Sequence, residues 1–147
     1  MVIRFFSKSD THREFSNFAP FGIELDGAWW PTVEHYYQAE KFADPELRRK
    51  IRKAEKPVIA KNLAHKYRGA VRPDWDQVKD AVMERAVSAK FAQHAELRAL
   101  LLATGDEELE ESAPTDTYWG VGRDGTGLNK LGKLIASIRS NLRAAAP

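Results

Sequence analysis

The sequence DWDQVKDAVMERAVSAKFAQH, residues 74–94, carries the clearest structural signal in the chain. Its apolar side chains recur three or four residues apart, the spacing of one helix face, at Trp75, Val78, Val82, Ala86 and Ala89. Asp74 belongs to the residue types that cap a helix N-terminus. The stretch therefore predicts a helix from Asp74 to His94.

The same helical pattern continues on both sides of this stretch. It predicts helices from Pro31 to about Ala43, Glu46 to about Ala54, Pro57 to Ala64, around Leu97 up to Thr104-Gly105, and from Leu128 to Arg143. Short strands are expected at Ile3–Phe6, at Gly22–Leu25 before an Asp26-Gly27 turn, and within residues 109–119. The predicted fold is mainly α, a single compact domain of residues 1–147 with a few short β-strands.

The composition is that of a globular protein, with 43% hydrophobic and 30% charged residues among 147. No apolar run approaches the length that a bilayer requires, and the first residues lack a secretory signal, so a cytoplasmic protein without a membrane partner is expected. The chain has no cysteine, which excludes disulfides and thiolate chemistry. The four histidines have no metal-ligand spacing, so neither a metal nor a cofactor is expected.

Positive charge is concentrated between Lys41 and Arg72. This segment holds eleven Lys and Arg residues against three acids, a net charge of +8, whereas the whole chain carries only +2. Such segregation indicates either a polyanionic partner, such as nucleic acid or a phosphate-bearing metabolite, or two helices with solvated basic faces.

Three polar residues of the first predicted helix share one face. Glu34, Gln38 and Lys41 are spaced i, i+4 and i+7, so they fall within a narrow sector. A carboxylate, an amide and an ammonium aligned in this way form either a catalytic strip or an ordinary solvated face. The spacing alone favours the solvated face.

Two loops have the composition of ligand-binding segments. Residues 118–127, YWGVGRDGTG, place four glycines after an aromatic pair and just before a helix, where backbone N–H groups can face an anion. The GxGxxG spacing there is not a dinucleotide fingerprint, because no βαβ unit follows it. In residues 15–20, FSNFAP, an amide lies between aromatics that either sandwich a base or simply pin a turn.

Taken together, these segments resemble the NADAR (YbiA-like) family. The matching motifs are Ser16-Asn17-Phe18, the stretch from Trp30-Pro31-Thr32 to Lys41-Phe42, the stretch from Ala89-Lys90-Phe91 to Thr104, and the stretch from Tyr118-Trp119-Gly120 to Leu131-Gly132. The motifs are long, and they extend over nearly the whole chain.

The resemblance implies a mainly helical N-glycosidase that needs no cofactor. Similar proteins hydrolyse phosphoribosylamino-pyrimidine intermediates of riboflavin synthesis. Others remove ADP-ribose from modified guanine in nucleic acid, sometimes as antitoxins beside a DNA-modifying ADP-ribosyltransferase toxin. Some members carry Asp after the Trp-Gly pair, where this chain has Val121, so we expect ADP-ribosylated DNA or nucleotide to be the preferred substrate.

The motif match also implies which residues form the site. Glu34 and Lys41 are the expected catalytic residues. The expected substrate-binding residues are Asn17, Phe18, Trp30, His35, Gln38, Tyr118, Trp119, Gly120, Gly122 and Asn129.

Two mechanisms and two other functions are compatible with these residues. Breaking a C1′–N bond builds positive charge on the sugar, which the Glu34 carboxylate can stabilise while it activates water, or Lys41 can attack C1′ with Glu34 assisting. The other functions are a non-enzymatic ADP-ribose or nucleotide reader, and a general nucleic-acid-binding module that uses only the basic segment.

Overall fold

The computed structural model describes residues 1–145, and these residues are mainly helical. The helices are α1 (Val33–Ala39), α2 (Pro45–Arg52), α3 (Pro57–Lys66), α4 (Trp75–Gln93), α5 (Ala95–Ala103) and α6 (Lys130–Ala145). The strands are β1 (Val2–Phe5), β2 (Ile23–Leu25), β3 (Ala28–Trp30) and β4 (Glu108–Glu111). The predicted fold class, mainly α with a few short strands, is confirmed.

The contacts divide the chain into two compact units. Residues 1–19 and the residues from His94 onward form the terminal unit, and residues 20–93 form the central unit. The assignment of residues 1–147 to one domain stays a prediction.

In the terminal unit, the first strand pairs with a strand that follows it by about a hundred residues. Strands β1 and β4 are parallel, with Val2 opposite Glu108 and Phe5 opposite Glu111. Helix α6 packs on β4, and α5 packs on α6. The approach of α6 to β4 is close at Gly132, where a Cβ atom would clash with the carbonyl oxygen of Leu109.

In the central unit, a hairpin precedes the helices. Strands β2 and β3 are antiparallel, and the Asp26-Gly27 turn between them has φ of 55° and 79° at its two residues. A turn with two positive φ angles matches the twist of paired strands. Strand β3 was not predicted, because no element was assigned to the three residues between the Asp26-Gly27 turn and the helix expected from Pro31.

Helix α1 is the centre of the central unit, because α2, α3 and α4 all pack against it. Every residue from Val33 to Ala39 is buried. The prediction that this helix extends to about Ala43 is wrong. The helix ends at Ala39, and the Arg48 guanidinium donates hydrogen bonds to the carbonyl oxygens of Ala39 (2.9 Å) and Phe42 (3.3 Å). Lys41 therefore lies in the turn beyond the helix.

The other predicted elements agree with the observed ones at most ends to within two residues. Two details of α4 differ from the prediction. The residues that fill the core are Val82, Met83, Ala86, Val87, Lys90 and Phe91, whereas Trp75 at the start of the helix remains half-exposed. Strand β4 occupies only the first part of the region where sheet was expected.

Candidate active site

Glu34 and Gln38 form a buried polar pair on α1. Their exposed fractions are only 7% and 4%, and the Gln38 amide donates a 2.6 Å hydrogen bond from Nε2 to Oε2 of Glu34. The residues are one helical turn apart, which lets the side chains meet. The solvated-face interpretation is therefore wrong. Because Gln38 Oε1 is buried without a hydrogen-bond partner, this pair has unused acceptor capacity.

The Lys41 ammonium lies beside two aromatic rings of the same unit. Its Nζ is 5.6 Å from the ring centroid of Tyr37 and 5.9 Å from that of Trp75. The two rings meet edge to face, with centroids 5.1 Å apart. Tyr37 comes from α1 and Trp75 from the first position of α4, so the packing of these two helices creates the environment of the lysine.

This environment favours the neutral form of Lys41. Burial is the main cause, and it lowers the pKa of the ammonium. The negative charge of Glu34 acts in the opposite direction, while the positive charges of Lys61 and Lys79 lower the pKa further. A lowered pKa increases the fraction of neutral amine, which is the form in which a lysine acts as a nucleophile.

His35 has internal partners for both of its ring nitrogens. Nε2 lies 3.0 Å from the carbonyl oxygen of Ala54, and Nδ1 lies 2.8 Å from the hydroxyl of Thr32, which also caps α1. A carbonyl only accepts, so Nε2 donates to it and Nδ1 accepts from Thr32. Burial lowers the pKa of His35. This geometry gives His35 a structural role, and its contact with substrate stays a prediction.

Trp30 lies on a different side of α1 from Glu34. Its ring packs edge to face on Tyr36, with centroids 5.2 Å apart, and its Nε1 donates to the carbonyl oxygen of Leu25. Tyr36 is two residues, about 200°, from Glu34 around the helix. Trp30 was predicted to bind the same substrate as Glu34, but its contacts here are with the opposite helix face and with the arginines of α2.

The glycine-rich loop of the terminal unit is closed by its own hydrogen bonds. The Asp116 carboxylate accepts from the backbone amides of Tyr118 and Trp119, and the amides of Gly127 and Leu131 donate to carbonyls within the loop. The amides of Lys130 and Leu131, the first two residues of α6, are thus already satisfied. The expectation that this helix N-terminus presents free N–H groups to an anion is not supported.

Asn129 serves as an internal bridge in the same unit. Its side chain accepts from the amide of Glu111 (3.0 Å) and donates to the carbonyl of Leu109 (2.9 Å), as a neighbouring strand would. Gly120 packs directly against Glu111, where a Cβ would clash. Asn129 and Gly120 were both predicted to bind substrate, and these structural contacts account for the presence of an asparagine and a glycine at the two positions. Gly122 has a positive φ (71°), which is typical of a glycine in a turn.

Half-exposed aromatic side chains lie in this loop. The rings of Tyr118 and Trp119 meet edge to face at 5.0 Å, and Lys130 Nζ lies 4.8 Å from the Tyr118 ring centroid. Asn17 and Phe18 are also half-buried, in the loop after a short 3-10 turn. Their participation in one site with Glu34 and Lys41 stays a prediction.

Trp75 is the site residue that the sequence did not reveal. Its place in the apolar stripe of α4 suggested a core residue, yet its ring lies half-exposed beside Lys41. Nothing in the spacing could have linked residues 34 apart in the chain, because the link depends on how α4 packs against α1.

Two features of residues 1–145 bear on membrane and metal binding. Within this described part, no helix is both long and apolar enough to cross a bilayer. The same residues contain no group of three or more His, Asp or Glu side chains placed to hold a metal ion.

The NADAR domain model matches residues 4–143, so the chain belongs to the NADAR family. It is 47% identical over 141 residues to the N-glycosidase YbiA of Escherichia coli K12, covering 96% of this chain and 88% of that protein. The NMR structure of E. coli YbiA superposes with a TM-score of 0.89 at 46% identity, covering 98% of this chain and 86% of that one.

A second relative carries a different name. A riboflavin biosynthesis protein of Vibrio vulnificus is 41% identical over 145 residues, covering 99% of this chain but only 40% of that longer protein. Together, these relationships support the prediction of a hydrolase of the N-glycosidase type.

Proposed function

We propose that this protein is an N-glycosidase that removes ADP-ribose from ADP-ribosylated guanine in DNA. The observation that carries the proposal is the pairing of Glu34 and Gln38 in a buried position near Lys41, whose pKa is lowered. A binding module has no need for a buried amine whose pKa is lowered. Names given to relatives, N-glycosidase among them, support the same class of reaction.

In the proposed mechanism Lys41 is the nucleophile. Its neutral amine attacks C1′ of the ribose, and the electron pair of the C1′–N bond passes to the base nitrogen. The proton lost from the attacking amine is delivered to that nitrogen, so the base leaves neutral. Opening of the sugar ring gives an imine on Lys41, and water hydrolyses it to release the sugar and restore the amine.

Glu34 supports the step that breaks the bond. Positive charge develops on the ribose ring as the base departs, and a nearby carboxylate stabilises that charge. Gln38 holds Oε2 of Glu34 through its amide, which limits the rotation of the carboxylate. Gln38 is thus a positioning residue for Glu34.

Trapping of the imine tests this mechanism. Borohydride added during turnover reduces the imine and leaves the sugar attached to Lys41, which mass spectrometry of tryptic peptides locates. Lys41→Arg abolishes both adduct and turnover, because a guanidinium stays charged and does not attack. The matched control is Lys133→Arg, a change at an exposed residue of α6. Full turnover by Lys41→Arg, together with no adduct in the protein without substitutions, would rule out Lys41 as the nucleophile. Attack by a water molecule that Glu34 activates would then be the mechanism.

The basic segment favours modified DNA as the substrate. Residues 41–72 carry a net charge of +8, which suits a polyanion. Val121 stands where some related metabolite-cleaving proteins carry an acid. A DNA substrate also implies a partner, namely an ADP-ribosyltransferase that makes the modification, and a cytoplasmic location.

A second substrate is supported by a different observation. The similar Vibrio vulnificus protein is named for riboflavin biosynthesis, which favours a phosphoribosylamino-pyrimidine. Release of ADP-ribose from modified DNA and of free pyrimidine base from the ribotide, measured as kcat/KM side by side, separates the two. A higher kcat/KM on modified DNA supports our proposal, and a higher value on the pyrimidine ribotide assigns the metabolite. Binding of ADP-ribose without turnover of either substrate would indicate a reader.

A further inference from the structure

A cavity lined by arginines lies on the side of α1 away from Glu34. Its volume is about 320 Å³, and its walls include Arg48, Arg49 and Arg52 of α2, with Trp30 and Asp26 opposite. The guanidinium carbons of Arg48 and Arg52 each lie 5.9 Å from the Trp30 ring centroid. One buried aromatic ring thus holds two guanidinium groups in place at a single opening.

The donors of these arginines are mostly unused by the protein. Among residues 1–145, the side chain of Arg52 has no hydrogen-bond or ion-pair partner, although it is half-buried. Arg49 has only a long contact of 3.8 Å with Glu46. Arg48 differs, because one of its nitrogens binds Glu40 and the end of α1. Two guanidinium forks are therefore free to bind an anion.

A second cavity adjoins the first one. Its volume is about 350 Å³, it shares Ala43 with the arginine cavity, and its walls include Tyr67 and Leu47. The half-exposed Tyr67 ring lies close to two ammonium groups, with Lys66 Nζ at 5.5 Å and Lys50 Nζ at 5.8 Å from its centroid. This cavity offers apolar and aromatic surface beside positive charge.

We infer that these two cavities form a binding surface for a single strand of nucleic acid. Guanidinium forks match the geometry of a phosphate, and an aromatic ring flanked by cations is the usual platform for a base. The arginine cavity takes a backbone phosphate, and the Tyr67 cavity takes a neighbouring base. The inference deepens the proposed function, since this surface holds the strand that carries the modified guanine.

Binding of unmodified DNA tests the surface without depending on catalysis. Fluorescence anisotropy with a labelled single-stranded oligonucleotide is measured over a range of salt concentrations for the intact protein and for Arg49→Gln/Arg52→Gln. Loss of two phosphate contacts lowers the slope of log affinity against log salt by about 1.4. The matched control is Lys8→Gln/Arg13→Gln, two exposed residues of the terminal unit with the same charge change, which leave the slope in place.

A second variant tests the base-binding cavity. Tyr67→Leu keeps apolar volume but removes the ring, and it lowers affinity by about tenfold without changing the salt slope. Thermal melting establishes that each variant is folded. Equal slopes for the arginine variant and its control, or no DNA binding by the intact protein, overturn the inference. DNA binding that depends on Arg49 and Arg52, together with cleavage of the pyrimidine ribotide alone, upholds the surface and overturns the proposed substrate.

Discussion

Replacing Glu34 by Gln separates the charge of this residue from its shape. The new amide keeps an oxygen that can accept the hydrogen bond from Gln38, now 2.6 Å from Glu34 Oε2, so the local packing is retained. The negative charge that stabilises the sugar cation is lost. Removal of one preorganised electrostatic group costs about 10²–10³-fold in kcat, or about 2.7–4 kcal/mol. We expect that loss in kcat with little change in KM.

The same substitution has a second consequence for Lys41. The charge of Glu34 raises the pKa of Lys41 against the effect of burial, so its removal lowers that pKa further. The neutral amine is the reactive form. The rise of the remaining activity with pH therefore occurs at lower pH in Glu34→Gln than in the intact protein. Because burial lowers the pKa of Lys41, the midpoint of the rise in the intact protein lies below the ordinary lysine value of about 10.4.

Stability distinguishes this explanation from simple disruption. Exchanging the charge-assisted bond for a neutral one costs about 1 kcal/mol, while the desolvation cost of a buried carboxylate, several kcal/mol, is relieved. Urea unfolding of Glu34→Gln should thus show no loss of stability. Glu84→Gln, an exposed change on α4, is the control for the kinetics. An equal loss of affinity and rate, or a shift of the pH profile to higher pH, would refute the reasoning.

Three further outcomes are expected. Trp75→Ala exposes the Lys41 amine to water, which raises its pKa and moves the pH–rate profile to higher pH, whereas Trp75→Phe restores much of the original profile. Gly132→Ala places a methyl group against the Leu109 carbonyl and lowers the free energy of unfolding by about 3 kcal/mol in urea titrations. Thr104→Val removes the acceptor, at 2.8 Å, of the buried Arg139 guanidinium, which costs about 1–3 kcal/mol by the same measurement. An unchanged pH–rate profile would contradict the first expectation, and an unchanged urea midpoint would contradict the second or the third.

Local sequence patterns predicted the helices and most of their ends, but not the end of α1. Helix α4 follows from its apolar periodicity, because burial of one helix face imposes a spacing of three and four residues. The end of α1 does not follow, because Arg48 of the next helix takes the carbonyls at which α1 stops. The pairing of β1 with β4 is equally invisible, since it joins residues about a hundred positions apart.

The sequence by itself determined the family, the helical class and the Glu34–Gln38 alignment, because motifs and one-turn spacing are properties of the chain. Only the tertiary structure decided which polar side chains are buried and what surrounds them. The sequence could not distinguish a solvated face on α1 from a buried one, and packing of three helices around α1 settled it. Packing likewise placed Trp75 beside Lys41, because proximity between separate helices depends on how they dock rather than on any local pattern.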